Sequence, residues 1–426
     1  MVLVTIARWL ALTAFACFVA TVSAFNNDRS DNLAVYWGQD SGGNQQRLSF
    51  YCDDDTIDAI PIAFLYVFFG KGGAPMIDLA NTCSLGGGST FRGTNLADCS
   101  FLASDIRTCQ SKGKIVTISL GGATGKVGFS SDAQAQGFAQ QIWDMFLGGG
   151  GCSSPFSEAP RANNCEMPSI TDSNMRPFGN AVLDGVDLDI ESGSAAHYAA
   201  FVNRLRSLSR GASKRYYITA APQCPFPDEA VGAALNGAPF DAVYVQFYNN
   251  FCESSSPSQF NFATWDNWAR KTSPNPNVKV YIGAPAADYA AGDGFVDINT
   301  LSRIAKDAQR KYSTFGGVML WDASVARKNN RFDRAIKQAL VNGQPPRPVG
   351  PAPAPVTHNP TPAATHAPGP AAPPAPHTAT TPRAPQTTST LLHEPTIRRP
   401  APARVMPQSV IHPNLNSRFF KKNINN

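Results

Sequence analysis

Eight apolar runs rich in Val, Ile, Phe and Tyr recur along this chain, at 33–37, 60–69, 115–120, 182–191, 216–221, 242–248, 278–284 and 317–321. Stretches with helical apolar spacing separate them, at 101–112, 133–146, 195–209, 262–271 and 298–312, and a last one at 332–340 follows the eighth run. Short continuous apolar runs read as strands buried on both faces. Strands joined through helices return to the same end of a sheet and therefore pair in parallel. Eight such units in about 320 residues predict a closed (β/α)8 TIM barrel. A doubly wound open sheet is the alternative, but it wants a glycine-rich phosphate turn after the first strand, where only Gly42-Gly43 is available. In a barrel the reactive groups belong at the C-terminal ends of the strands.

The fourth run ends in Asp184-Gly185-Val186-Asp187-Leu188-Asp189-Ile190-Glu191. Alternation of period two sends Asp187, Asp189 and Glu191 to one face, with neighbours roughly 6.6–6.8 Å apart, and Val186, Leu188 and Ile190 to the other. Carboxylates crowded this way repel one another and lose water, so at least one holds its proton towards neutral pH while another ionises. Cleavage of a glycosidic bond needs that division of labour. A solvated strand face and a carboxylate site for Mg²⁺ or Ca²⁺ are the other readings of the same acids. The remaining strand ends carry Gln39, Gly121-Gly122, Gln246, Tyr248, Asn249 and Trp321. Polar groups with Tyr and Trp suit a sugar chain, whose apolar faces stack on rings while its hydroxyls take hydrogen bonds.

The chain opens with Arg8, an apolar run from Trp9 to Val22 and small residues up to Ala24, the pattern of a secretory signal peptide over 1–24. No other segment nears the ~20 apolar residues of a membrane span, so an exported protein without a membrane anchor is expected. Setting aside Cys17 in the signal leaves eight cysteines, an even number that favours disulfides in an oxidising compartment. There is no C-x-x-C pair, and His197 is the one histidine before residue 344, so neither a zinc site nor a histidine-based triad is expected, and no metal or cofactor is called for. His197 itself reads as a surface residue at a helix start.

From residue 344 to 426 the composition changes: this segment holds 20 of the 34 prolines, with Ala and Thr between them, too little apolar surface to fold. The expected organisation is therefore a signal at 1–24, a catalytic barrel at 25–343 and a disordered Pro/Thr-rich tail at 344–426. The tail carries eight basic residues against Glu394 alone, so the net charge of +5 belongs to it. No folded face pairs basic residues with aromatics, which argues against nucleic acid as a partner. The tail is either a solvated spacer or a holder of anionic cell-wall polysaccharide, and a monomer is expected.

The octet resembles the D-G-x-D-x-D-x-E signature of glycoside hydrolase family 18, the chitinases. Tyr36-Trp37-Gly38-Gln39, Ile62-Ala63-Phe64, Ser119-Leu120-Gly121-Gly122, Thr219-Ala220-Ala221-Pro222-Gln223-Cys224-Pro225, Val245-Gln246-Phe247-Tyr248-Asn249-Asn250 and Gly316-Gly317-Val318-Met319-Leu320-Trp321 are similar to its plant and fungal class III, hevamine-like branch. The resemblance implies a secreted endochitinase acting on chitin or chitooligosaccharides with retention, the substrate's own acetamido oxygen attacking the anomeric carbon. It implies that Glu191 is general acid and base, that Asp189 holds the acetamido N–H, that Asp187 tunes Asp189, and that Tyr248 binds the acetamido oxygen. It further implies that Trp321 floors the cleft, that Gln39, Phe64, Gly122 and Gln246 line it, and that Cys52–Cys109, Cys83–Cys99 and Cys224–Cys252 are paired. Cys152 and Cys165 remain, flanking an insertion at 151–168, and are expected to close it as a local loop. Asp40 and Leu188 depart from the family's usual Asn and Phe. An inactive, lectin-like barrel and an endo-β-N-acetylglucosaminidase acting on N-glycans are the alternatives within the same family.

Overall fold

A computed structural model describes residues 25–149 and 175–342. The signal segment 1–24, the insertion with Cys152 and Cys165, and the segment 344–426 lie outside the described residues. Among the described residues nine strands form in chain order: β1 Asn32–Val35, β2 Ala59–Val67, β3 Met76–Ile77, β4 Ile115–Gly121, β5 Gly185–Asp189, β6 Tyr217–Ala220, β7 Ala242–Gln246, β8 Lys279–Pro285 and β9 Phe315–Trp321. The sheet runs β1-β9-β8-β7-β6-β5-β4-β2, and a parallel β1–β2 pairing closes it on itself. These eight strands are parallel and make a TIM barrel, which removes the open-sheet alternative. The short β3 pairs antiparallel with the end of β2 and stands outside the ring.

The helices α1 Ala103–Ser111, α2 Asp132–Phe146, α3 Tyr198–Leu208, α4 Gly232–Gly237, α5 Phe262–Lys271, α6 Ile298–Lys311, α7 Ala323–Lys328 and α8 Phe332–Asn342 follow the strands. Side-chain O atoms of Ser131 and Asp297 accept N–H groups of the first turns of α2 and α6, satisfying donors that the helix itself leaves open. Period-two alternation decides which residues face which layer. Val116, Ile118, Val186 and Leu188 join Phe138, Ile142, Phe201 and Leu205 in the apolar layer under the helices. Each such side chain taken fully out of water contributes about 1.5–3 kcal/mol. A second, smaller cluster of Ala34, Tyr36, Ala63, Phe64, Tyr244, Tyr281 and Met319 packs together.

Four expectations need correction at the element ends, and the first strand, expected to reach Trp37, ends at Val35. The strand expected at 182–191 is only Gly185–Asp189, so Glu191 stands two residues beyond it, on the way into α3. The strands expected to end at Phe69 and Tyr248 end at Val67 and Gln246. The short elements α4, α7 and β3 went unread, because two to six residues are too few to display a period. Disulfides Cys52–Cys109, Cys83–Cys99 and Cys224–Cys252 form as the resemblance implies, with Cα separations of 5.2, 5.9 and 5.9 Å. The last of them joins the segments that leave β6 and β7.

Candidate active site

Strand register builds the first part of the site. Asp187 lies opposite Ser119 of β4 on one side and Thr219 of β6 on the other. Both hydroxyls donate to its carboxylate at 2.7 Å, and the phenol of Tyr36 donates at 2.6 Å. The carboxylate is fully buried; loss of water raises its pKa, while the three donors oppose that rise. Two residues on, Asp189 is 3% exposed and accepts the Gln246 side-chain N–H at 2.9 Å. Burial, then the neighbouring charges of Glu191, Asp187 and Asp228, hold Asp189 well above the usual carboxylate range.

Glu191 is half-buried, and Ser192 to Ser194 beyond it are exposed. Burial and the charge of Asp228 push its pKa up to about 7, against the Gln246 amide, which favours the ionised form. Tyr248 is buried, and its phenol is raised by burial and by the charges of Asp189 and Glu191. Asp187, Asp189, Glu191, Gln246 and Tyr248 therefore interact electrically or by hydrogen bonds as one group. What the arrangement can do chemically is to offer a proton near neutral pH from Glu191, with two further buried carboxyls behind it.

An aromatic surface adjoins the acids. Phe64 stacks on the half-buried Trp321 with ring centres 5.8 Å apart and 17° between planes, and Tyr36 packs on the same indole at 5.6 Å. The Ala63–Phe64 and Trp321–Asp322 peptide bonds are both cis. Gly122 has φ +79°, and a Cβ there would stand 2.7 Å from the Phe64 ring, so only glycine brings this backbone so close. Its N–H donates to the Asp189 carbonyl at 2.8 Å. Gln39 is half-buried; its side-chain N–H donates to the Ala63 and Asp78 carbonyls at 2.9 and 3.0 Å, tying the end of β1 to the chain around β2 and β3.

Two residues of interest in the sequence lie apart from this group. Asp184, the first acid of the octet, accepts from Lys214, Gln110 and the Val116 N–H at the opposite end of β5. His197 pairs with Asp132 at 2.6 Å just before α3. One residue of the site was missed altogether: Asp228, buried in the segment between β6 and α4. Its carboxylate accepts N–H groups of Gln223, Ala230 and Val231 at 2.9, 2.9 and 2.6 Å. The available signal was local, an Asp after Pro227 with the bonding reach of a helix cap, and nothing in that signal announces proximity to Glu191. Among the described residues no group of three or more His, Cys, Asp or Glu is arranged to hold a metal ion.

Comparison with known proteins gives a consistent picture. The family described as glycosyl hydrolases family 18 matches residues 32–300. Chitinase 2 of Rhizopus oligosporus is 44% identical over 337 residues, covering 78% of this chain and 56% of that protein. Endochitinase 33 of Trichoderma harzianum is 40% identical over 348 residues, covering 78% of this chain and 99% of its own length. Against four other fungal relatives of the first kind the chain spans only 51–62% of the relative's length. Among solved structures, a chitinase from Ipomoea carnea superposes with a TM-score of 0.58 at 33% identity, covering 72% of this chain and 99% of that one. A xylanase and alpha-amylase inhibitor protein from Scadoxus multiflorus superposes with a TM-score of 0.56 at 32% identity, covering 72% and 97%.

Proposed function

Because the chain belongs to glycosyl hydrolases family 18, we propose that it is a secreted endochitinase, cleaving β-1,4-linked N-acetylglucosamine polymers with retention of configuration. The observation that carries this reading is a half-buried Glu191, protonated up to about pH 7, beside the buried Asp189 and the phenol of Tyr248. Glu191 donates its proton to the bridging oxygen, and the bond from that oxygen to the anomeric carbon breaks. The acetamido carbonyl oxygen of the same sugar forms the new bond to that carbon, giving an oxazolinium ion. Asp189 accepts the acetamido N–H and faces the positive charge, and Asp187 supports Asp189 from behind. Tyr248 donates to the attacking oxygen. Water then adds to the anomeric carbon as the bond from that carbon to the acetamido oxygen breaks and the acetamido group re-forms, while Glu191, now ionised, takes the water's proton.

The sugar at the cleavage point rests on Trp321, with Phe64, Gly122, Gln39 and Gln246 around it. Residues 1–24 direct export, residues 25–343 catalyse, and residues 344–426 are a spacer or a wall-binding tail; the three disulfides among the described residues fit an extracellular setting. The experiment that tests the function is product analysis on chitin hexamer, with the anomeric form recorded. Fresh β-anomers support substrate assistance, and α-anomers overturn it. Turnover of a high-mannose glycopeptide in place of the hexamer would mark an N-glycan hydrolase. Binding of the hexamer without turnover would mark a lectin-like barrel.

A further inference from the structure

We propose that Asn249 is a positioning residue, latching the loop after β8 across the back of Tyr248 and so fixing that phenol at its working angle. The inference rests on the reading that Tyr248 takes part in the reaction. Asn249 follows Tyr248 directly; it is exposed and left-handed at φ +59°, a conformation that Asn tolerates better than most residues. Its side-chain oxygen accepts the N–H groups of Gly292 and Asp293 at 2.8 and 3.0 Å. Its own N–H donates to the Asp293 carbonyl at 3.2 Å. One residue therefore makes three bonds to one turn. The Asp293 carboxylate tightens that turn by accepting the Gly294 N–H at 2.8 Å.

The next contact shows what the turn is seated against. Gly294 is buried with φ +91°, and a Cβ on it would stand 2.6 Å from Tyr248 Cα and 2.8 Å from Tyr248 Cβ. The loop backbone thus closes the space into which Tyr248 could retreat. The phenol itself feels the charges of Asp189 and Glu191. A side chain backed on one side and aimed at the reacting group on the other is set by its backing. A displacement of about 1 Å in such a group can cost up to ~10²-fold in rate.

The test is a double-mutant cycle on the full chain. Asn249→Gly keeps the left-handed backbone and deletes the two side-chain bonds of the latch; Asn249→Asp keeps an acceptor for both N–H groups. Each is made with Tyr248 and with Tyr248→Phe, and kcat and KM are measured on chitin hexamer. Asn249→Gly should lower kcat by about tenfold or more with KM little changed, and Asn249→Asp should recover most of it. In the Tyr248→Phe background the same change should cost less than about twofold, since interacting residues are not additive. Equal losses in both backgrounds, or no loss, overturn the proposal. Should the native protein leave the hexamer intact, the proposed function fails and the latch is read without activity. In fluorotyrosine-labelled protein the ¹⁹F resonance missing from Tyr248→Phe should move or broaden in Asn249→Gly; if it stays unchanged, the latch is wrong.

Discussion

The two ends of this barrel treat the same residue type in opposite ways. At the N-terminal end, where strands begin, carboxylates meet cations: Asp58 with Lys337 at 2.6 Å, Asp241 with Arg206 at 2.7 Å and Arg215 at 2.9 Å, and Asp54 with Arg331 at 2.8 Å. At the C-terminal mouth the partners are neutral donors: three hydroxyls for Asp187, an amide for Asp189 and backbone N–H groups for Asp228. The Arg331 guanidinium, with hydrogen bonds from Thr56, holds Asp54 at about 2, whereas burial and a nearby carboxylate push Glu191 to about 7. Paired charges lock the chain's folded geometry. Unpaired ones keep a proton available where substrate would enter, at a cost in stability.

Four substitutions or titrations can break or sharpen that contrast. The largest effect is expected at Glu191→Gln, which should lower kcat on chitin hexamer by about 10³-fold or more without weakening hexamer binding; near-native turnover would remove Glu191 from the chemistry. Next is Lys337→Met, which removes the cation hydrogen-bonded to the buried Asp58. It should destabilise by about 3–5 kcal/mol in denaturant unfolding while kcat stays within a factor of about two at 25 °C. Loss of turnover in a still-folded variant would mean that the two ends are not separable.

The third prediction concerns pH. Folded Glu191 binds its proton more tightly than the unfolded chain does, at about 7 against an ordinary 4.5. Between those values the native state holds a proton that the unfolded state has lost, so this group subtracts stability as pH rises. Glu191→Gln should therefore melt several degrees above the native protein at pH 7.5 and within about a degree of it at pH 4; a pH-independent difference would contradict the charge argument. The smallest effect is at Asp54, which is partly exposed. Its lowered pKa contributes stability above its ordinary value of 3.8 that is lost as pH falls towards 2. The melting-temperature gap between the native protein and Asp54→Asn should narrow over that window, and a gap that widens would reverse the assigned sign.

Much of the barrel was legible beforehand because parallel strands buried on both faces are nearly continuous apolar runs, and helices between them keep their own period. The octet of β5 was legible for the same reason: alternation separates Val186 and Leu188 from Asp187 and Asp189 whatever surrounds them. The strand ends were less so. Glu191 lies past the last ladder bond of β5, since pairing with β4 and β6 rather than local pattern decides where a strand stops. Asp184 opens the octet three residues before Asp187, out of phase with the other acids, and serves the opposite end of the barrel, held by Lys214 and Gln110.

Chain order and side-chain period determined by themselves that eight strands alternate with helices, and that three acids share one stretch near the end of the fourth. Only the closed barrel decided which groups meet those acids. Ser119 and Thr219 reach Asp187 through register between neighbouring strands, and Tyr36 reaches it from just past β1, 151 residues away in sequence, although β1 and β5 are not paired. Asp228 comes near Glu191, and Gly294 backs Tyr248, through loops that carry no period. The physical reason is one of range: hydrophobic alternation is a property of neighbours along the chain, whereas desolvation, charge proximity and backbone contact depend on what the folded chain brings together through space.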